Sequence, residues 1–163
     1  MTEGAGERQR AGGRGSQGAG ERQRAGGRGP RLVPGQRLPE RSVTLDQERL
    51  IRYAGVSEDF NPLHWDAAFA GAVSPTGGVI AHGMLSMGLL SALLTDWLGD
   101  AGRVRRMTCQ FKAPCPVGAT ITLGGEVVDV DEAAGSATVK LWAHTGDGAK
   151  VIDQRVSRAE VAL

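Results

Sequence analysis

The chain has 163 residues, with 19 Lys and Arg against 18 Asp and Glu and a formal net charge of +1. A balance this even does not mark a nucleic-acid-coating protein, so no nucleic acid partner is expected. The longest apolar stretch, residues 79–94, is interrupted by His82, Gly83, Ser86 and Ser91. It is too short and too polar to cross a bilayer, and no charged-then-apolar leader is seen, so no membrane association is expected.

Residues 4–15 recur unchanged at 18–29 as a Gly, Arg and Gln segment without a large apolar side chain. Such a segment cannot bury enough surface to offset chain entropy, so 1–30 read as unstructured. Pro30 and Pro34 extend this into a linker, which makes 1–36 a tail and 37–163 one domain. Seven Arg against three Glu in residues 1–31 make the tail basic. It reads as a passive extension, with a basic arm for nucleic acid or an acidic partner as the alternative.

Residues 38–45 have the composition of a short first strand, and Asp46 can cap a helix through Ala54 that ends at Gly55 and Ser57. Asn61-Pro62 is a restart signal, because Asn caps well and Pro is pre-organised for the first helical position. It predicts a short helix to about Ala70, followed by a loop over 74–78. From His82 to Trp97 nearly every residue is apolar or small, which predicts a buried helix ended by Gly99. Residues 104–112, 119–130, 136–145 and 150–162 then read as strands rich in Val, Ile and Thr. One buried helix and a five-strand antiparallel sheet make an α+β domain with the helix lying across the sheet. An open sheet edge invites dimerisation edge to edge.

Asp59 and His64 flank the Asn61-Pro62 turn, which lets the chain fold back so that both side chains face one cavity. A neutral imidazole can take a proton from water while a carboxylate orients that water. Gly83 opens the apolar helix, where unpaired amides and the helix dipole favour a developing oxyanion. His82 is expected to cap that helix or wall the pocket. Ser91 can donate to a substrate carbonyl, or bond back to the preceding turn. Trp65, Trp97 and Trp142 read as packing residues. Cys109 and Cys115 lack metal-site spacing and read as reduced thiols of a cytosolic protein, so no metal is expected.

The series Tyr53, Ser57, Asp59, Asn61, Pro62, His64 and Ala70, followed by Ile80-Ala81-His82-Gly83-Met84, resembles the hydratase motif of the MaoC-like family. That family comprises (R)-specific enoyl-CoA hydratases and (3R)-hydroxyacyl-ACP dehydratase subunits, and has a hot-dog fold. The run Trp97-Leu98-Gly99-Asp100 is similar to the bacterial dehydratase subunits in particular.

The resemblance implies that Asp59 and His64 are the catalytic pair and that the Gly83 amide binds the thioester carbonyl. It places Ser91 near that oxygen and Asn61 in support of the site. It also implies a cytoplasmic enzyme without a cofactor, acting on an acyl-CoA or acyl-carrier-protein substrate, as a homodimer or a heterodimer with a related hot-dog subunit. The expected reaction is reversible dehydration of a (3R)-hydroxyacyl thioester to the trans-2-enoyl thioester. Glu58 departs from the Gly usual between Ser57 and Asp59. That departure and the unusual tail motivate one alternative, a biosynthetic cyclisation or condensation at the same site; a non-catalytic acyl-binding hot-dog subunit is the other.

Overall fold

The computed structural model describes residues 29–163, and the expectations for residues 1–28 lie outside the described residues. The chain runs through β1 (Arg41–Thr44), α1 (Gln47–Ser57), a 3-10 turn (Pro62–His64), α2 (Ala67–Val73) and α3 (Gly83–Leu98). It then continues through a second 3-10 turn (Ala101–Arg103), β2 (Val104–Thr108), β3 (Thr120–Asp131), β4 (Ser136–Thr145), β5 (Lys150–Ile152) and β6 (Arg158–Ala162). All six strands join one antiparallel sheet in the order β1-β3-β4-β6-β2, with β5 also paired to β4.

The period-two pattern of β4 puts Ala137, Val139, Leu141 and Ala143 on the inner face. Ile121, Leu123 and Val127 of β3 join them, and α3 lies across this face through Leu85, Leu90, Leu93, Leu94 and Leu98. Each such Leu contributes about 2 kcal/mol on leaving water. This is the sheet-around-helix arrangement expected of a hot-dog fold.

Several boundaries differ from the sequence expectation. Residues 31–36, expected in the tail, lie on the sheet: Leu32 is buried, Gly35 N–H donates to Val127 O at 2.8 Å, and Val127 N–H donates to Gln36 O at 2.9 Å. The helix capped by Asp46 runs past Gly55 to Ser57. The single helix expected after Asn61 is two pieces, because Asp66 supplies a second cap, accepting from the amides of Ala68 and Phe69. The strand expected over 104–112 ends at Thr108, leaving one bridge between Phe111 and Ile152.

The strand expected over 150–162 breaks between β5 and β6, which gives six strands rather than five. At the break the buried Asp153 carboxylate accepts from the Arg155 guanidinium at 3.0 Å and lies 3.5 Å from Lys112 Nζ. The Arg155 guanidinium beside it holds the Asp153 carboxyl far below the usual carboxylate range. Ser157 Oγ accepts from Gln110 N–H at 3.0 Å. The break therefore fastens residues 110–113 to the sheet, and Lys112 and Ala113 donate to Val151 O and Lys150 O.

Helix α1 ends on Glu58 at φ 59° and ψ 16°, the only non-glycine residue at positive φ among the described residues. An L-residue in that region is strained by about 1 kcal/mol. Glu58→Gly is expected to raise stability by about 1 kcal/mol, read as a higher denaturant midpoint at unchanged slope. A lower midpoint contradicts the strain.

Candidate active site

The turn between α1 and α2 is built from short polar side chains bonding to nearby main chain. Ser57 Oγ donates to Tyr53 O at 2.8 Å. Asp59 Oδ1 accepts from Asn61 N–H at 3.3 Å, and Asn61 Oδ1 accepts from Leu63 N–H at 3.0 Å. Pro62 fixes the next φ, so the chain reverses and sets His64 beside Asp59. Asn61 thus acts as a turn-former, with an exposed side chain.

The turn meets the residues that lead into α3. Ile80 N–H donates to Leu63 O at 3.3 Å, and His64 Nδ1 lies 2.7 Å from Ile80 O. A carbonyl can only accept, so His64 carries a proton on Nδ1, and in the neutral ring Nε2 is then a lone-pair acceptor. That Nε2 lies 4.0 Å from Asp59 Oδ2. The separation is too long for a direct hydrogen bond, but it suits one water sitting about 2.8 Å from each atom. Half of the Asp59 side chain is exposed, whereas His64 is 11% exposed. The expected convergence of carboxylate and imidazole is therefore present.

His82 is 2% exposed, and its Nε2 lies 3.1 Å from Asp59 O. Its ring stacks on His64 with centroids 3.7 Å apart and planes 26° apart, and Tyr53 meets it edge-on at 5.0 Å. Its side chain makes no cap bond to α3 and does not line the cavity that Gly83 borders, so neither expectation holds: it packs behind His64 instead. Burial pushes the His82 imidazole below its usual pKa of 6.5, and the neighbouring His64 adds to the effect. Asp59, His64 and His82 each bring a potential ligand atom into one small space. His82 Nε2 is engaged on the Asp59 carbonyl at 3.1 Å, so that nitrogen is not free to ligate an ion.

Gly83 opens α3, where first-turn amides lack intrahelical partners. A Cβ there would lie 3.2 Å from the Phe111 ring, so glycine permits this close approach. Gly83 and His64 line a cavity of about 220 Å³ together with Ser86, Phe111, Lys112 and Cys115. The buried Ser86 was not singled out from the sequence, although its spacing of one turn from Gly83 was a usable signal. Ser91 is half-buried, lies further along α3 and is not among the residues lining the cavity. Glu58 is exposed and also absent from the lining. A wider groove of about 580 Å³ on the outer sheet face, lined by Arg37, Lys140, Trp142 and Lys150, contains none of the expected site residues. Cys109 and Cys115 are free thiols.

The neutral His82 carries a pH signature. An unfolded chain protonates this residue near pH 6.5 while the folded chain resists, so the unfolded state binds more protons and stability falls as pH drops through that range. His82→Gln is expected to flatten the fall in denaturation midpoint between about pH 7 and about pH 5.5. An unaltered pH slope contradicts a buried neutral His82.

A family model described as a MaoC like domain matches residues 32–145. The (R)-specific enoyl-CoA hydratase of Aeromonas caviae is 39% identical over 101 residues, covering 61% of this chain and 75% of that protein. The structure of the (R)-hydratase from A. caviae involved in PHA biosynthesis aligns with a TM-score of 0.73 and 34% identity, covering 81% of this chain and 97% of that one. A chain of the ChsH1–ChsH2 complex from Mycobacterium tuberculosis aligns at 0.71 and 25%, covering 82% and 99%. With the motif, the central helix and the enclosing sheet all matched over most of its length, this chain belongs to the MaoC-like domain family.

Proposed function

We propose that the chain is a hydro-lyase that adds water to a trans-2-enoyl thioester to give the (3R)-hydroxyacyl thioester, and catalyses the reverse dehydration. The observation that carries this is the 4.0 Å spacing of His64 Nε2 and Asp59 Oδ2, with His64 and Gly83 lining one small cavity. Similarity to the (R)-specific hydratase of A. caviae supports both the reaction and its stereochemistry.

In the hydration direction, Asp59 and His64 hold the water, and His64 Nε2 takes one of its protons as the oxygen bonds to C3. The C2–C3 π pair moves onto the thioester carbonyl as an enolate, whose oxygen accepts from the Gly83 amide. Return of the proton to C2 completes the addition of one water. The thioester carbonyl is itself the electron sink, so the chemistry invokes no further group. Ser86 lines the cavity and is placed to contact the thioester. Ser91 does not line this cavity and takes no part in the step.

The substrate is proposed to be an acyl-CoA, with a carrier-bound thioester as the second arm of the test. A dimer is also proposed, homomeric or with a related hot-dog subunit. In the described chain β2 pairs only with β6, which leaves its other edge for a second sheet. Phe60, Trp65, Phe69 and Met84 stay exposed near the site. The related ChsH1–ChsH2 structure is a complex of two different chains. Among the described residues no helix is long and apolar enough to cross a membrane.

Purified protein is expected to hydrate crotonyl-CoA, and Asp59→Asn or His64→Ala should lower turnover roughly 10²–10⁴-fold. Near-wild-type rates in both variants, or tight acyl-CoA binding without turnover in the wild type, overturn the assignment. A parallel assay with crotonyl-carrier protein distinguishes the two thioester sources.

A further inference from the structure

His82 sits under the catalytic pair but touches no atom of the reaction as drawn. It is the one residue among those described with a buried side-chain polar atom lacking a hydrogen-bond partner, its Nδ1. Its Nε2 faces the Asp59 carbonyl oxygen at 3.1 Å and must donate there. The second nitrogen is then an acceptor when the ring is neutral. Protonation would place an N–H donor with no acceptor in a site 2% exposed. Geometry alone therefore selects the neutral Nε2–H tautomer. The titratable groups facing the ring are Tyr53 from α1, Asp59 from the turn and His64 from the 3-10 turn.

We infer that His82 is a positioning residue for the hydratase reaction: its flat neutral ring fixes the plane of His64, while its Nε2–H fixes the main chain of Asp59. This rests on the function proposed above and assigns a task to a residue that function leaves idle. The bond from His64 Nδ1–H to Ile80 O holds one edge of the imidazole but leaves the ring free to swing about that bond. The stacked face of His82, 3.7 Å away, blocks the swing on one side. Tyr53, edge-on at 5.0 Å, backs His82 in turn.

The same residue holds the carboxylate's anchor. Asp59 Oδ2 lies 4.0 Å from the Nε2 of both rings, so displacing His82 moves both ends of the water site together. A proton acceptor misplaced by about 1 Å costs on the order of 10²-fold in rate. An orphaned buried nitrogen in contact with the general base fits a group kept for function rather than for stability.

The test compares His82→Gln, whose amide N–H can reach the Asp59 carbonyl, with His82→Leu, which keeps bulk but has no donor and no flat face. With crotonyl-CoA, His82→Leu is expected to lower kcat about 10–100-fold at nearly constant KM, and His82→Gln to recover most of that loss. Equal losses in both variants, or a loss confined to KM, overturn the inference. Imidazole ¹⁵N NMR of the same proteins reads His64 directly. The His64 ring signals should be single and sharp in the wild type and in His82→Gln, and should broaden through exchange between ring orientations in His82→Leu. His64 ring line shapes unchanged in His82→Leu overturn the inference, whatever the rates. If the wild type hydrates no enoyl thioester, the proposed function falls, while the NMR comparison still decides the role of His82.

Discussion

Two short segments of this protein hold each other by exchanging histidines. His64, on the turn after α1, donates to the carbonyl of Ile80, and His82, on the approach to α3, donates to the carbonyl of Asp59. The Ile80 amide closes the same seam on Leu63 O. Each donor satisfies a main-chain acceptor on the other segment, so neither can shift without breaking the other's bond. The proposed catalytic geometry depends on this clasp, because it sets the Nε2 of His64 4.0 Å from the Asp59 carboxylate and holds His64 on the cavity that the start of α3 lines.

The clasp works only because α3 cannot move. That helix, expected from its apolar composition to be buried all round, packs one face on the inner side of the sheet and leaves Met84, Gly88, Ala92 and Asp96 exposed. Its N-terminus is fixed further by the pairing of residues 79–81 with 115–117, through Ala81 N–H to Cys115 O and Val117 N–H to Val79 O. An amide aimed at a developing oxyanion must be in place before the charge develops, and a helix packed along one face on the sheet and tied at its N-terminus meets that requirement. Burial of α3 thus supplies both stability and the orientation of the Gly83 amide.

The remaining cavity wall has a different support. Phe111 lies over Gly83 on a segment too irregular to be a full strand, and that segment is tied to the sheet through Asp153 and Ser157. Asp153 is a buried carboxylate between two cations, an arrangement favoured when all its lone pairs are used. The break between β5 and β6 is therefore a fastening point for residues that line the cavity.

Much of this was legible in the sequence. Asp46, Asn61-Pro62 and Gly99 marked helix limits because their chemistry is local: a side chain bonding an amide two or three residues away, or a fixed φ. Alternation in β4 gave its limits, since burial on one sheet face imposes a period of two. Asp59 and His64 stood out through a short motif lying within one turn. The site's other features depend on residues distant in the chain. The stacking of His82 on His64, the cover of Phe111 over Gly83 and the place of Ser86 on the cavity were fixed only when the sheet closed on α3. The break at Asp153 was hidden for the same reason, as its partner Lys112 lies forty-one positions earlier. Local bonds and periodic burial can be read along a chain, but contacts between distant side chains are decided by how buried surfaces pack, and no short stretch of sequence holds that information.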